Sequence, residues 1–252
     1  MEAAAPPPPA PVARRIDVGR VISETFSMYG QHLGVLIGPA IIIFGVVGII
    51  NGFLQDEGGI FLTLIAQILS LIASAVYTGF VVKLVQDVRQ DGRRDLSVGT
   101  LVNAAMPVIG VLIVNGLLKG IAVGIGILLL IIPGIILATI WAVTAPAIVV
   151  ERAGIMDAFG RSYELVRGEF WAVLGAFVLI FLIVAAAVII GGAIGIAIGG
   201  LAAVIILTII VGILTAPLTA LVSSILFFDL GGGQTVAAAP AAPVQPPPAP
   251  AT

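Results

Sequence analysis

The chain has 252 residues, of which 60% are hydrophobic and only 10% are charged. A soluble domain carries about 25% charged residues, so this composition excludes an ordinary soluble fold and favours a chain that faces lipid. The absence of cysteine excludes disulfides and thiolate metal sites. The net charge of −2 says little, because in such a chain the position of the charges matters more than their sum.

Uncharged segments follow one another along the chain, and about 20 apolar residues are enough to cross a bilayer. The longest uncharged segment has 59 residues, from Phe170 to Phe228. As one helix it would be about 88 Å long, so we expect it to turn near the glycines at 191–200. The pattern predicts six membrane-spanning helices, at about residues 33–54, 60–82, 101–118, 127–149, 171–190 and 201–228.

Basic residues predict the orientation of these spans. Ten of the 11 Lys and Arg lie before the first span, between the second and third, or between the fourth and fifth: Arg14, Arg15, Arg20, Lys83, Arg89, Arg93, Arg94, Arg152, Arg161 and Arg167. Short loops rich in Lys and Arg stay in the cytoplasm. We therefore expect a multi-pass protein of the cell (inner or plasma) membrane with both termini cytoplasmic. The eleventh, Lys119, is expected to end the third span on the outer side.

Two of the basic regions, Asp17 to Tyr29 and Ile155 to Arg167, have apolar residues at helical spacing. We expect each to form an amphipathic helix on the inner membrane surface, with Asp17 capping the first. A hairpin of two spans follows each. An internal duplication and a chance likeness of two such helices explain this pattern equally well.

The fold class predicted is therefore an all-α integral membrane protein with six transmembrane helices and two inner-face amphipathic helices. Residues 16–230 would form this membrane domain. Residues 1–15 are rich in Ala and Pro, and residues 231–252 are rich in Gly, Ala and Pro. Such segments bury no core, so we expect both tails to be disordered.

The chain offers few groups for catalysis. Its only histidine, His32, has no Cys or second His to share a metal ion, and no motif of a hydrolase or a nucleotide site occurs. We expect neither enzyme activity nor a metal or other cofactor. Inside the spans, Gln67 and Asn115 either line a solute path or bond neighbouring helices together, and the second interpretation is favoured.

Proline and glycine residues predict irregular places in the spans. Pro133 with Gly134 should kink or unwind the fourth span, and broken helices line binding sites in transporters. Glycines also recur at every fourth position, which makes either a close-packing face or an outer turn. For the second series the turn is preferred. The two series are Gly116, Gly120, Gly124 and Gly191, Gly195, Gly199.

Several short motifs lie between the fourth span and the end of the sixth. They are Ile132-Pro133-Gly134-Ile135, Ala145-Pro146, Val149-Val150-Glu151, the run from Ala158 to Gly168, Phe170-Trp171 and Phe227-Phe228-Asp229-Leu230. Together they resemble the membrane domain of bacterial glycerophosphoryl diester phosphodiesterases, and the resemblance covers about residues 16–230. It implies a six-helix membrane domain.

The resemblance does not imply hydrolysis by this chain. In those enzymes the reaction belongs to a separate barrel domain with His and carboxylate residues, for which this chain has no room. Glu151, Arg161, Ser162 and Asp229 match recurrent positions of the family. The resemblance implies that they stabilise the inner-face helix and the span ends rather than catalyse a reaction.

We therefore expect a non-enzymatic membrane scaffold or accessory subunit. The alternative is a small transporter or lipid-handling protein that uses the fourth span and the polar residues of the second and third spans. The expected partners are the lipid bilayer and either a protein subunit or a second copy of the chain, with no nucleic acid. The sequence names no ligand.

Overall fold

The computed structural model describes residues 15–56, 59–90 and 98–233, and in these ranges the chain is helical without any strand. Ten α-helices follow one another: α1 (Val18–Gln31), α2 (Leu33–Asp56), α3 (Ile60–Gln90), α4 (Val98–Ala105), α5 (Ile109–Leu129), α6 (Ile131–Ile140), α7 (Thr144–Glu151), α8 (Ile155–Val166), α9 (Phe170–Ile198) and α10 (Leu201–Asp229). A 3-10 turn, Met106–Val108, joins α4 to α5. Residues 1–14 and 234–252, which hold nearly all of the expected disordered tails, lie outside the described residues.

Within the described residues, six helical segments are long and apolar enough to cross a membrane, as the sequence predicts. They are Leu33–Gly52, Ile60–Arg89, Gly99–Leu129, Ile131–Glu151, Phe170–Ile198 and Ala202–Asp229. Large apolar side chains cover their outer surfaces. Ile42, Phe181 and Ile189, for example, are about 70% exposed, which suits lipid rather than water. The chain is therefore a multi-pass membrane protein.

The third and fourth spans have different bounds from those that the sequence predicts. α5 continues past Lys119 to Leu129, so Lys119 lies within the third span rather than at its end. Leu130 has an extended backbone, and α6 starts directly after it. The hairpin is tight, because a Cβ atom on Gly134 would lie 2.6 Å from the backbone nitrogen of Ile127.

The fifth and sixth spans meet in a turn of two glycines, Gly199 and Gly200, with φ of 93° and 99°. α9 extends to Ile198, well past the end expected near residue 190. Gly195 lies inside α9, where a Cβ atom would be 2.8 Å from the Cα of Val204 on α10. The second glycine series therefore provides both a close-packing face and the turn.

The two helices that were expected to be amphipathic, α1 and α8, each have a buried side. Val21, Thr25 and Met28 are buried on α1, and Ala158, Ser162 and Val166 are buried on α8. Asp17 accepts a hydrogen bond of 3.2 Å from the backbone N–H of Arg20, so it caps α1 as expected. A pair of long helices follows each short helix, which suits a duplication. However, α1 packs against α9 and α10, whereas α8 packs against α6 and α7.

Charged residues collect at one end of the bundle, which we call the charged end. It contains Arg20 of α1, Arg89 of α3, Glu151 of α7 and Asp229 of α10. The tightest packing lies towards this end, where the last residues of α10 are buried: Ala220, Leu221, Val222, Ser223, Ser224, Ile225, Leu226 and Phe227. α10 is therefore the central helix of the charged end.

Candidate functional site

The fourth span is broken near its centre, between Ile140 at the end of α6 and Thr144 at the start of α7. Pro146 explains this position. It has no N–H for the carbonyl of Ala142, and its ring would collide with that carbonyl in a continuous helix. The chain therefore leaves the helix at Trp141 and begins a new one two residues before the proline.

The kink expected at Pro133 and Gly134 is a prediction that the structure corrects. Pro133 is the third residue of α6, in the first turn, where a backbone N–H has no partner within the helix. A proline in this position starts a helix without bending it. Gly134 instead allows the close contact with Ile127 in the α5–α6 hairpin.

Side chains from three other helices bond the carbonyl groups that the break leaves free. Ser162 of α8 donates to the carbonyl of Ile140 at 2.7 Å, and Lys119 of α5 donates to that of Trp141 at 2.6 Å. Ser223 of α10 donates to the carbonyl of Ala142 at 2.8 Å. A backbone group without a partner costs several kcal/mol in a bilayer, so these bonds make the break possible.

A cavity of about 250 Å³, lined by both polar and apolar groups, lies beside the break, between α3, α5, α7, α9 and α10. Its lining includes seven polar or charged side chains: Ser74, Thr78, Asn115, Lys119, Thr144, Thr219 and Ser223. Ser74, Asn115 and Ala142 each lie near the middle of their spans. Ser223 lies nearer to the charged end of its span, so the cavity extends from the middle of the bundle towards the charged end.

Two features of the cavity lining are chemically unusual at this depth. Asn115 is 2% exposed, and its Nδ2 atom has no hydrogen-bond partner. Lys119 is the one charged side chain among the described residues that line the cavity. Buried polar groups are normally paired, so an unpaired donor beside a cation indicates a place for a ligand or water.

The structure separates the two polar residues singled out inside the second and third spans. Asn115 lines the cavity, whereas the side chain of Gln67 is exposed on the outer surface of α3 and does not. A solute path that uses both residues does not fit this arrangement. Ser70, close to Gln67, accepts a hydrogen bond of 2.8 Å from Asn51 and so joins α3 to α2.

Asp229 holds three helices together at the charged end. Its carboxylate, which is 9% exposed, accepts bonds from Arg20 at 2.7 Å and from Arg89 at 3.0 Å. Glu24 also pairs with both arginines, at 3.4 Å from Arg20. We call these four residues the charge cluster. It connects α1, α3 and α10.

A second ion pair holds α8 against α7. Arg161 donates to both carboxylate oxygens of Glu151, at 2.9 and 3.1 Å. The bond to Glu151 raises the pKa of the Arg161 guanidinium. Glu151 also accepts from the backbone N–H of Gly233 at 2.9 Å. Together with the bonds of Ser162 to the break, the Arg161–Glu151 pair attaches α8 to the fourth span. These are the contacts expected if the three residues stabilise the fold.

The residues that sequence reasoning missed are Lys119 as a cavity residue, Ser223 and Pro146. Each carried a weak signal: a lone cation between uncharged segments, a serine pair in an apolar span, and a second proline in the fourth span. Local sequence did not show that they meet. In the part of the chain that the structure describes, no three His, Asp or Glu side chains are placed to hold a metal ion.

Comparison with known proteins gives no further guide to this site. No protein-family model, no curated protein and no solved structure matches the chain. The likeness to the membrane domain of glycerophosphoryl diester phosphodiesterases therefore stays a prediction from short motifs. What the cavity does has to be argued from its own geometry.

Proposed function

We propose that the protein is a small membrane transport protein that takes a polar solute into the cavity beside the broken fourth span. The observation that carries this proposal is the buried, unpaired Nδ2 of Asn115 at the centre of the bundle. Discontinuous helices that place polar groups near the midplane form the binding sites of many transporters. The hydroxyl groups around Asn115 would complete the contacts of a bound solute.

We also propose that the charged end faces the cytoplasm of the cell membrane. Arg20, Arg89, Arg152 and Arg161 all lie in elements of this end. The positive-inside rule places such residues in the cytoplasm. In this orientation α1 and α8 lie at the inner membrane surface, and both termini are inside.

Uptake into proteoliposomes tests the transport function. Glycerol, glycolate, phosphate and choline, each radiolabelled, serve as neutral, anionic and cationic probes. We expect at least one probe to enter faster than it enters vesicles without protein. Asn115→Leu should slow that uptake about tenfold, the effect of losing one buried hydrogen bond of the stronger kind.

The matched control is Gln67→Leu, which removes an amide of similar chemistry from the outside of α3. It should leave uptake unchanged, because Gln67 does not line the cavity. Uptake of every probe at the rate of empty vesicles would contradict the transport function. Equal loss in both variants would show that the cavity is not the path.

A membrane scaffold or accessory subunit is the second candidate, and the charge cluster favours it. By joining α1, α3 and α10, the cluster makes the charged end a rigid surface on which another protein could assemble. A scaffold predicts that Asn115→Leu changes no cellular function of the protein. Transport predicts that this variant behaves like a deletion.

We further propose that the chain has the architecture of the phosphodiesterase membrane domain without its reaction. The support is the absence of a second His from the sequence, together with the ion-paired state of Glu151 and Asp229, two of the matching acidic residues. Hydrolysis of a glycerophosphodiester by the purified protein would contradict the non-enzymatic assignment.

A further inference from the structure

We propose that the cavity is selective for small oxyanions, with a carboxylate or phosphate group held by Lys119, Asn115 and the first turn of α7. This inference rests on the proposed transport function and names the class of solute. The juxtaposition that carries it is a lysine without a counter-ion, an unpaired amide donor and a helix N-terminus, all on the wall of one cavity.

The charge of the cavity is one-sided. Lys119 is the one charged group among the described residues of its wall, and no carboxylate lies there. Acidic residues of the described helices lie in α1 and α8 or within the last turn of α2, α3, α7 or α10. A cation in a low-dielectric site without an opposite charge is costly, and a bound anion removes that cost.

Lys119 has donors left for a ligand. A lysine ammonium carries three N–H donors, and the bond of 2.6 Å to the carbonyl of Trp141 uses one of them. A carbonyl group fixes the position of the ammonium but supplies only a partial negative charge. The remaining donors and the full charge suit the oxygens of a carboxylate or phosphate.

Asn115 adds a second donor on the same wall. It precedes Lys119 by four residues on α5, so the two side chains lie on one helix face, one turn apart. Its Nδ2 atom is buried and unpaired. Since Lys119 repels cations, the free amide donor next to it is best matched by an anionic acceptor.

The start of α7 supplies a third favourable element. Thr144 and Ala145, the first two residues of α7, line the cavity. Backbone N–H groups in the first turn of a helix have no partner within it, and the helix dipole places partial positive charge there. Anions bind at such helix ends. The break in the fourth span thus places this helix end near the middle of the membrane.

The size of the cavity suits a solute of a few heavy atoms. A volume of 250 Å³ corresponds to roughly eight water molecules at about 30 Å³ each. Short carboxylates and inorganic phosphate fit in this space. Carboxylate and phosphate share the oxyanion chemistry that the site offers.

Uptake of single probes into proteoliposomes tests the selectivity. Valinomycin and potassium salts keep the membrane potential constant. Glycolate and phosphate are the two anions, glycerol is the neutral solute and choline is the cation. We expect at least one anion to enter faster than glycerol, and choline not to enter. Comparison of glycolate with phosphate identifies which oxyanion is preferred.

Lys119→Met keeps the length of the side chain and removes its charge. It should reduce anion uptake about tenfold to a hundredfold, the range for loss of a charged hydrogen bond. Glycerol uptake should persist. The matched control is Lys83→Met on α3, because Lys83 bonds Gln86 and lies outside the cavity. This control should retain the anion preference.

Asn115→Asp is a second variant that tests the anion selectivity if the Lys119→Met protein does not fold. The substitution changes almost no volume and gives Lys119 a counter-ion, so anion uptake should fall as far as in Lys119→Met. If Lys119 only stabilises the broken helix, Asn115→Asp should leave anion uptake unchanged.

The failure of this inference is distinguishable from the failure of the transport function. Equal uptake of anions and glycerol, or an unchanged anion preference in Asn115→Asp, would overturn the selectivity while leaving transport in place. Uptake of no probe would overturn both. Preference for choline would also contradict the anion site.

Discussion

Ser162 shows how one side chain can support an irregular backbone inside an apolar bundle. Its hydroxyl donates to the carbonyl of Ile140 at 2.7 Å and accepts from the N–H of Val143 at 3.3 Å. It therefore bonds both sides of the break from a different helix. Because Ser162 is fully buried, water cannot replace either bond.

Ser162→Ala should therefore destabilise the protein. The substitution leaves the Ile140 carbonyl and the Val143 N–H without this partner, and each unpaired buried group costs about 1–3 kcal/mol. Unfolding in mixed micelles, followed by circular dichroism against denaturant concentration, measures the change. Ser27→Ala is the control, because Ser27 is exposed and bonds only Gln31. Equal stability of the two variants would contradict a bracing role for Ser162.

Lys119 illustrates why single charges are ambiguous in such a sequence. A lone cation between uncharged segments is typical of a loop, and that rule predicts the end of the third span at residue 118. The partner that keeps Lys119 inside the span is the carbonyl of Trp141 on another segment. No local pattern encodes that partner, so the cavity could not be predicted from the sequence.

At the scale of helices, the spans themselves were predictable. Long uncharged runs are enough to indicate six crossings, because length and hydropathy decide whether a helix enters lipid. The two prolines of the fourth span were harder to interpret. Pro133 and Pro146 are each the third residue of their helix, so each marks a helix start. The end of the preceding helix distinguishes the two starts. α5 ends directly before α6, which makes a hairpin, whereas α6 ends inside the fourth span, which makes a break.

The glycines also divide by what surrounds them, which the sequence does not show. A Cβ atom on Gly134 would lie 2.6 Å from the backbone nitrogen of Ile127, whereas one on Gly120 would have nothing within 4 Å. The regular spacing of Gly116, Gly120 and Gly124 therefore does not make one packing face. Of these three, only Gly116 faces a close neighbour, because a Cβ atom there would lie 3.2 Å from the side chain of Leu71.

Gly134→Ala and Gly120→Ala should therefore have opposite effects on stability. The first forces the α5–α6 hairpin apart and should cost about 1–3 kcal/mol, as overpacking does. The second should be neutral or stabilise by up to about 1 kcal/mol, because alanine favours the helix. Thermal unfolding of both variants in the same detergent gives the comparison. Destabilisation by Gly120→Ala alone would contradict the described hairpin.

For the whole molecule, the distribution of charge is the feature that sequence and structure share most fully. Among the described residues, three groups of basic residues separated in sequence, in α1, near the end of α3 and around α8, belong to elements of one end. The structure adds what the pattern omits, namely the carboxylates that pair with Arg20, Arg89 and Arg161. Pairing across distant segments depends on the packed bundle and is invisible in a linear sequence.

The proposed orientation predicts where tags become accessible. A short epitope at the N-terminus and one at the C-terminus should both be protected in intact cells and should react only after permeabilisation. A cysteine introduced at Ile198, the exposed last residue of α9 beside the turn to α10, should react with an impermeant maleimide added outside. Since the chain has no native cysteine, no background label is expected. Reaction of the N-terminal tag in intact cells would contradict the proposed orientation.

The charge cluster also sets an order of events during synthesis. Arg20 and Arg89 precede their shared partner Asp229 by 209 and 140 residues. At about 5–20 residues per second, a ribosome needs roughly 7–28 seconds to progress from Arg89 to Asp229. During that interval neither arginine can bond the Asp229 carboxylate. Glu24 can join α1 to α3 before that time, but the connection of both helices to α10 forms only when the last helix has been made. A nascent chain that stops early therefore lacks the contacts that complete the charged end.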